Sequence, residues 1–214
     1  MSDPDQLTVL VMAAGRGTRM RSALPKVLHP LCGLPMLHWV AAAARAAGAA
    51  RLIAVTRPGD GVAEGLPEGM ESVEQRSGEG TGAAVLAARD EVAPGGTVIV
   101  MSGDQPLITA RLLQELLSRH RRQRAAATLL TTSELDPTGY GRVVRAADGR
   151  VERIVETKDP SLAREQDLRI REVNLGTYAF VGDELFDTLQ RVPETHGERY
   201  LTGVFPLLLS LIHI

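Results

Sequence analysis

Leu7-Thr8-Val9-Leu10-Val11-Met12 is an unbroken apolar and β-branched run, and it passes directly into Ala13-Ala14-Gly15-Arg16-Gly17-Thr18-Arg19-Met20. A run of this kind fits a strand buried on both faces of a parallel sheet. The small residues behind it form a loop that turns basic at Arg16 and Arg19. The same alternation continues outward along the chain. Pro35 opens a helix from Met36 to about Ala47, closed by Gly48. Arg51 to Thr56 reads as the next strand, and a short strand lies near Ser72-Val73-Glu74. Gly78-Glu79-Gly80-Thr81-Gly82 leads into an Ala-rich helix, and Thr97 to Met101 is another buried strand, ending at Ser102-Gly103-Asp104. Thr109 caps a helix to about Arg124. Ala125 to Thr132 returns to strand character. Strands alternating with helices predict an α/β fold, Rossmann-like, with a predominantly parallel central sheet flanked by helices. After Pro137 the texture changes: two alternating runs, 141–145 and 151–156, flank Asp148-Gly149, a strong hairpin signal. With a further run from Arg169 to Val181 they predict a β-rich insertion closing over one end of the sheet, within one domain.

In open α/β sheets, ligands bind beyond the carboxyl ends of the strands. Two such ends carry unusual residues here, Ala13 to Arg19 and Ser102-Gly103-Asp104. The first loop is not G-x-x-x-x-G-K-[ST], because no Lys-Ser/Thr follows its second Gly. It is not G-x-G-x-x-G, because Met20 takes the third Gly position, and Thr56-Arg57-Pro58 stands where a ribose-binding acid would end the second strand. What remains is a Gly-rich loop with backbone N–H groups and two cations, suited to a polyphosphate or simply a solvated basic loop. Lys26, behind the rigid Pro25, is within reach of the same strand end. Asp104 either caps the following turn or holds a divalent metal against phosphate oxygens.

Composition narrows the classes. The 214 residues include 24 Lys+Arg and 26 Asp+Glu, a net charge of -2, which excludes a general polyanion binder held by net basic charge. Aromatics are 3%, too few for a surface that stacks successive bases, so no nucleic-acid partner is expected. The acidic start and the lack of about 18 consecutive apolar residues argue against a secretory signal and a membrane span. The single Cys32 points to a reducing compartment, the cytosol, and its loop reads as packed. The five histidines (29, 38, 120, 196 and 213) show no metal spacing. Only Lys26 and Lys158 are lysines, and Asn174 is the one asparagine. A chain that otherwise uses Arg has a reason to keep a compact ammonium where it does.

Met12 to Met20, followed by Leu24-Pro25-Lys26-Val27-Leu28-His29-Pro30-Leu31-Cys32-Gly33, resembles the sugar-nucleotide pyrophosphorylases. Among them it is most similar to the uridylyltransferase half of the bacterial bifunctional N-acetylglucosamine-1-phosphate uridylyltransferases. Further matches follow in order over roughly residues 7 to 202: Gln75, Gly80-Thr81-Gly82-Ala83, Gly103-Asp104, Asp136 to Arg142, Val155-Glu156 with Lys158, and Asn174 with Gly176. The resemblance implies that Met12, Ala13, Ala14, Gly15 and Gln75 form a uridine wall, with Gly80 and Thr81 on uracil and ribose. Ser102 and Gly103 join the substrate-binding set. Gly141, Glu156 and Asn174 would hold the N-acetylglucosamine moiety, Asp104 a magnesium ion, and Arg19 and Lys26 the triphosphate as the catalytic cations. The implied substrates are UTP and N-acetylglucosamine 1-phosphate, for cell-envelope precursors. A second metal-ligating Asn and a trimerising acetyltransferase β-helix would lie downstream. Residues 1–214 are then expected to be one C-terminally truncated domain, a homotrimer when whole and a monomer as a fragment. Leu175 replaces the usual Thr after Asn174, Gly203 replaces an expected Asp, and the tail from Phe205 is nearly all apolar. Another sugar or molybdopterin-type nucleotidyltransferase shares the first loop, and a nucleotide-sugar-binding module without turnover is the third reading.

Overall fold

The run 7–12 forms strand β1 (Leu7–Met12), whose side chains alternate between two buried faces. This computed structural model describes residues 6–15, 17, 20–157 and 163–211, apart from the side chains of 209–211. Two very short strands, β2 (Pro30–Leu31) and β3 (Leu34–Pro35), make a hairpin ahead of helix α1 (Met36–Ala46). Then come β4 (Arg51–Thr56), β5 (Glu71–Glu74), α2 (Thr81–Ala87), β6 (Thr97–Ser102), α3 (Ala110–Gln123) and β7 (Ala127–Thr132). The Thr109 hydroxyl accepts from the Leu112 amide at 3.2 Å, so the expected N-cap of α3 is present.

The hairpin strands β8 (Arg142–Arg145) and β9 (Val151–Val155) follow, then α4 (Glu165–Leu168), β10 (Val173–Val181), α5 (Gly182–Arg191) and α6 (Val204–Leu211). One eight-stranded sheet runs β5-β4-β1-β6-β10-β8-β9, with β7 also paired to β10. The strands β5, β4, β1 and β6 are mutually parallel, while β10 enters antiparallel beside β6. The β-rich insertion is present, and it joins the sheet edge to edge through β10.

The alternation in β1 sorts the core into two layers. Val9 and Val11 pack with Leu37, Val40, Leu113 and Leu117 from α1 and α3. Leu10, from the opposite face, packs with Val85, Phe186, Leu189 and Phe205 from α2, α5 and α6. Over residues 204–211 the apolar tail is therefore a core helix, with Val204, Phe205 and Leu208 buried. Its Phe205 closes an aromatic cluster with Tyr178 and Phe180, at centroid separations of 6.1 and 6.3 Å. Among the described residues no helix is long and apolar enough to cross a membrane. Cys32 is exposed, at positive φ, and not packed as its loop had suggested; the tight β2–β3 turn pushes it outward.

Candidate active site

Chain order reverses at β1: β4 and β5 lie to one side of it and β6 to the other. That switch point opens a crevice at the carboxyl ends of β1 and β6, where Met12 and Ser102 are paired neighbours. Gly103 N–H donates to the Met12 carbonyl at 3.0 Å, and Ala13 N–H to the Val55 carbonyl at 2.9 Å. A Cβ on Gly103 would come within 3.0 Å of Val27 Cγ1, so glycine lets the two loops close on each other. Ala13 and Ala14 are buried and Gly15 is exposed at the crevice mouth.

Lys26 and Asp104, 78 residues apart, meet here: the Lys26 ammonium is hydrogen-bonded to Asp104 Oδ2. Ser102 Oγ donates to the other carboxylate oxygen, Oδ1, at 2.5 Å. Burial pushes the Asp104 pKa up, but the hydrogen bonds from Lys26 and Ser102 and the ammonium charge outweigh it. The carboxyl is held ionised, below its ordinary value. Gly17 lies against Lys26, where a Cβ would be 2.8 Å from the Lys26 Cβ. Arg16, Arg19 and Lys158 lie outside the described residues.

Gln75 is buried just beyond β5. Its backbone N–H donates to the Thr56 carbonyl at 2.8 Å and its side-chain Nε2 to the Gly78 carbonyl at 2.9 Å. Gly80, at φ 92° and ψ 170°, precedes α2, and the Thr81 hydroxyl accepts from the Leu201 amide at 2.9 Å. Across the sheet, the Asn174 amide donates to the Gly141 carbonyl at 2.9 Å. A Cβ on Gly141 would lie 3.0 Å from Ile154 Cγ2 and 3.8 Å from the Asn174 Cβ. Asn174 is braced from within β10: its Nδ2 donates to the buried Tyr178 hydroxyl at 2.6 Å, and its Oδ1 accepts from Gly176 N–H at 2.9 Å. Gly176, at φ 72°, sits in the bulge of β10 that this bracing requires. Glu156 follows β9, and its Oε1 accepts from the Thr202 hydroxyl at 2.9 Å.

The predicted residues among those described therefore fall into groups by element. Met12 to Gly15, Gln75, Gly80 and Thr81 lie at or just behind β1 and β5 and at the start of α2, Gly141, Glu156 and Asn174 on or beside β8, β9 and β10, and Lys26, Ser102, Gly103 and Asp104 at the switch point. Five contributors lie outside the predicted set of site residues. Arg57 binds both the Ala14 carbonyl and Glu79. Gln105 donates to the Leu175 carbonyl and accepts from the Thr177 hydroxyl at 2.9 Å, joining the β6 loop to the bulge. Arg199 backbone groups bond to Glu79 and Gly82. Leu201 and Thr202 tie the first two groups together. Arg57 carried a signal, a charged residue directly behind a buried strand; the others depend on contacts that only folding creates.

A divalent cation fits this donor set in one way. Among the described residues no cluster of three or more His, Cys, Asp or Glu forms a closed cage. One ionised carboxylate, Asp104, suits a hard cation whose remaining ligands are phosphate oxygens and water. Beside it a groove of about 460 Å³ is lined by Asp104, Gln105, Leu31, Leu107, Leu175 and Thr177, among others.

Residues 9–204 match the family model described as MobA-like NTP transferase domain. The "Bifunctional protein GlmU" of Listeria welshimeri is 44% identical over 206 residues, covering 94% of this chain and 44% of that protein. The protein of the same name from Geobacillus thermodenitrificans is 45% identical over 203 residues, covering 93% of this chain and 44% of its own. The chain thus spans less than half the length of these curated relatives. A solved UDP-glucose pyrophosphorylase from Acinetobacter baumannii shares the fold at TM-score 0.71 and 20% identity, over 96% of this chain and 83% of that one. A UDP-glucose pyrophosphorylase complexed with UDP-glucose aligns at TM-score 0.69 and 17% identity, over 96% and 88% of the two chains.

Proposed function

The chain belongs to the MobA-like NTP transferase family, and from that premise we propose that it is a nucleotidyltransferase moving UMP from UTP to N-acetylglucosamine 1-phosphate. The observation that carries the reading is the meeting of Lys26 with Asp104 at the sheet's switch point, beside a loop of small residues. The choice of uridine and of this sugar rests on the motif series from Met12 to Asn174 and on the curated relatives. Residues 1–214 are read as a single nucleotidyltransferase domain.

The reaction is an in-line displacement. A phosphate oxygen of the sugar phosphate attacks the α-phosphorus of UTP, the bond to the β-phosphate oxygen breaks, and pyrophosphate leaves. No side-chain nucleophile is required, so catalysis is positioning and charge stabilisation. Lys26, and Arg19 with it, neutralise charge on the α-phosphate and the leaving pyrophosphate. The backbone from Ala13 to Gly15 approaches the nucleotide closely, with Gly80 and Thr81 on the base and ribose. Gly141, Glu156 and Asn174 orient the sugar, and the bracing of Asn174 by Tyr178 and of Glu156 by Thr202 keeps those groups preorganised. Magnesium held by Asp104 would supply charge neutralisation on the phosphates.

Pyrophosphate release with UTP, CTP, GTP and dTTP, each paired with N-acetylglucosamine 1-phosphate and glucose 1-phosphate, tests this directly. UTP with N-acetylglucosamine 1-phosphate is expected to dominate. Strong release with another pair, and none with this one, would reject the assignment.

A further inference from the structure

We propose that Arg57 is a positioning residue that sets the Ala14–Gly15 peptide for the nucleotide by latching the loop after β1 to the loop before α2. That the ligand is a nucleotide rests on the function proposed above. Arg57 stands immediately behind β4, where a dinucleotide-binding fold would place an acid for the ribose. It turns inward instead, with about a quarter of its side chain exposed. Its Nε donates to the Ala14 carbonyl at 2.7 Å. Its two terminal nitrogens donate to Glu79, Nη1 to Oε1 at 3.1 Å and Nη2 to Oε2 at 2.6 Å. One planar fork thus spans two loops, a geometry that a lysine ammonium does not reproduce. The Arg57 backbone is itself pinned, its N–H donating to Asp60 Oδ2 at 2.7 Å.

The consequence follows from peptide planarity. In a trans peptide the carbonyl and the next N–H point in opposite directions. With the Ala14 carbonyl turned to Arg57, the Gly15 N–H is turned away from it. Gly15 is exposed, and a Cβ there would meet nothing within 4 Å, so a ligand can approach this backbone. On the other loop Glu79 adjoins Gly80 and Thr81, and its carbonyl accepts from Arg199 N–H at 2.8 Å. Arg57 therefore fixes the spacing between the two loops on the nucleotide side, and among the described residues its hydrogen-bond partners are Ala14, Asp60 and Glu79, none of them on the Glu156–Asn174 side.

The test compares wild type, Arg57→Met, Arg57→Lys and Glu79→Gln by ¹⁵N relaxation at the Gly15 amide, by KM for UTP and for the sugar phosphate, and by Tm. In Arg57→Met the Gly15 order parameter is expected to fall from about 0.85 to below about 0.6. The UTP KM rises about tenfold, the lower end of the loss when an outer orienting group is removed. The sugar-phosphate KM stays within about twofold, the split expected of one lost binding interaction. Arg57→Lys recovers only part of each change, and Glu79→Gln, nearly isosteric, shows the same two changes should Arg57→Met fail to fold. An unchanged Gly15 amide, or a parallel rise in both KM values, overturns the proposal. Absence of turnover by the wild type with every substrate pair would reject the proposed function, while the Gly15 amide still decides the latch.

Discussion

Replacing Gly80 by alanine puts a methyl group where the backbone of Arg199 already lies. The added Cβ would sit 2.5 Å from the Arg199 carbonyl oxygen and 2.9 Å from its nitrogen. Carbon–oxygen contacts settle at about 3.3 Å or more, so one strand of backbone has to retreat by roughly 0.8 Å. Two hydrogen bonds depend on that approach, Arg199 N–H to the Glu79 carbonyl at 2.8 Å and Gly82 N–H to the Arg199 carbonyl at 2.7 Å. Each contributes about 0.5–1.5 kcal/mol. The backbone at φ 92° and ψ 170° adds a conformational cost of about 1–3 kcal/mol for any side chain. The total is about 2–6 kcal/mol, which at about 2–4 °C per kcal/mol for a chain of this size lowers Tm by roughly 4–24 °C. Gly59→Ala is the control: φ is 69°, nothing lies within 4 Å of the added Cβ, and only the conformational cost of about 1–2 kcal/mol applies. Urea unfolding followed by circular dichroism measures both. If Gly80→Ala loses no more stability than Gly59→Ala, the close approach of residues 80 and 199 does not stabilise the fold and the reasoning fails.

Lys26→Ala, and Arg19→Ala with it, should lower kcat/KM about 100-fold or more, the usual scale for an oriented charge at a developing negative charge; unchanged pyrophosphate release in both would remove their catalytic role. Asn174→Ala leaves the buried Tyr178 hydroxyl without its donor, which costs about 1–3 kcal/mol in urea unfolding, and it raises the sugar-phosphate KM while leaving that for UTP in place. Asp167 is buried, and a hydrogen bond from Arg153, reinforced by the Arg164 amide, holds its pKa below the ordinary 3.8 against the opposing effect of burial. Its contribution to stability is therefore complete above that ordinary value and is lost as pH falls through the lower folded-state value. The Tm gap between wild type and Asp167→Asn should be widest near neutrality and shrink in acid; a gap that is constant with pH would contradict the ion pair.

Apart from the two-residue strands β2 and β3, the strands and helices up to Thr132 were legible because their residue patterns show, and because Gly48 and Thr109 punctuate them. The Asp148-Gly149 hairpin was equally plain. Three later helices were not. α4 has four residues, α5 follows β10 directly, and α6, apolar in sequence apart from Ser210, has no polar period to mark it as a helix. For the site, the two strand ends could be named from their residue types, but not the partners that hold them. Thr81 meets Leu201 across 120 positions and Arg57 meets Glu79 across 22. Neither spacing has a period, so only the folded sheet brings those groups together. Cys32 was misjudged because a two-residue hairpin strand leaves no pattern to show which way its turn faces.

The placement of β10 has a consequence for how the chain is made. In the described pairings, β7 meets only β10, and the β8–β9 hairpin pairs with the rest of the sheet through β10, in register at Val173 and Arg142. A nascent chain emerging from the ribosome thus completes β6, β7, β8 and β9 before the strand that joins them exists. Until residue 181 is free, β6 has a bare edge next to a vacant lane, and such edges recruit strands from other chains. Closing the lane pairs Val181 with Thr97, a contact between residues far apart along the chain, of the kind that slows folding. The sheet is therefore most open to mispairing in the interval before β10 slides between its neighbours.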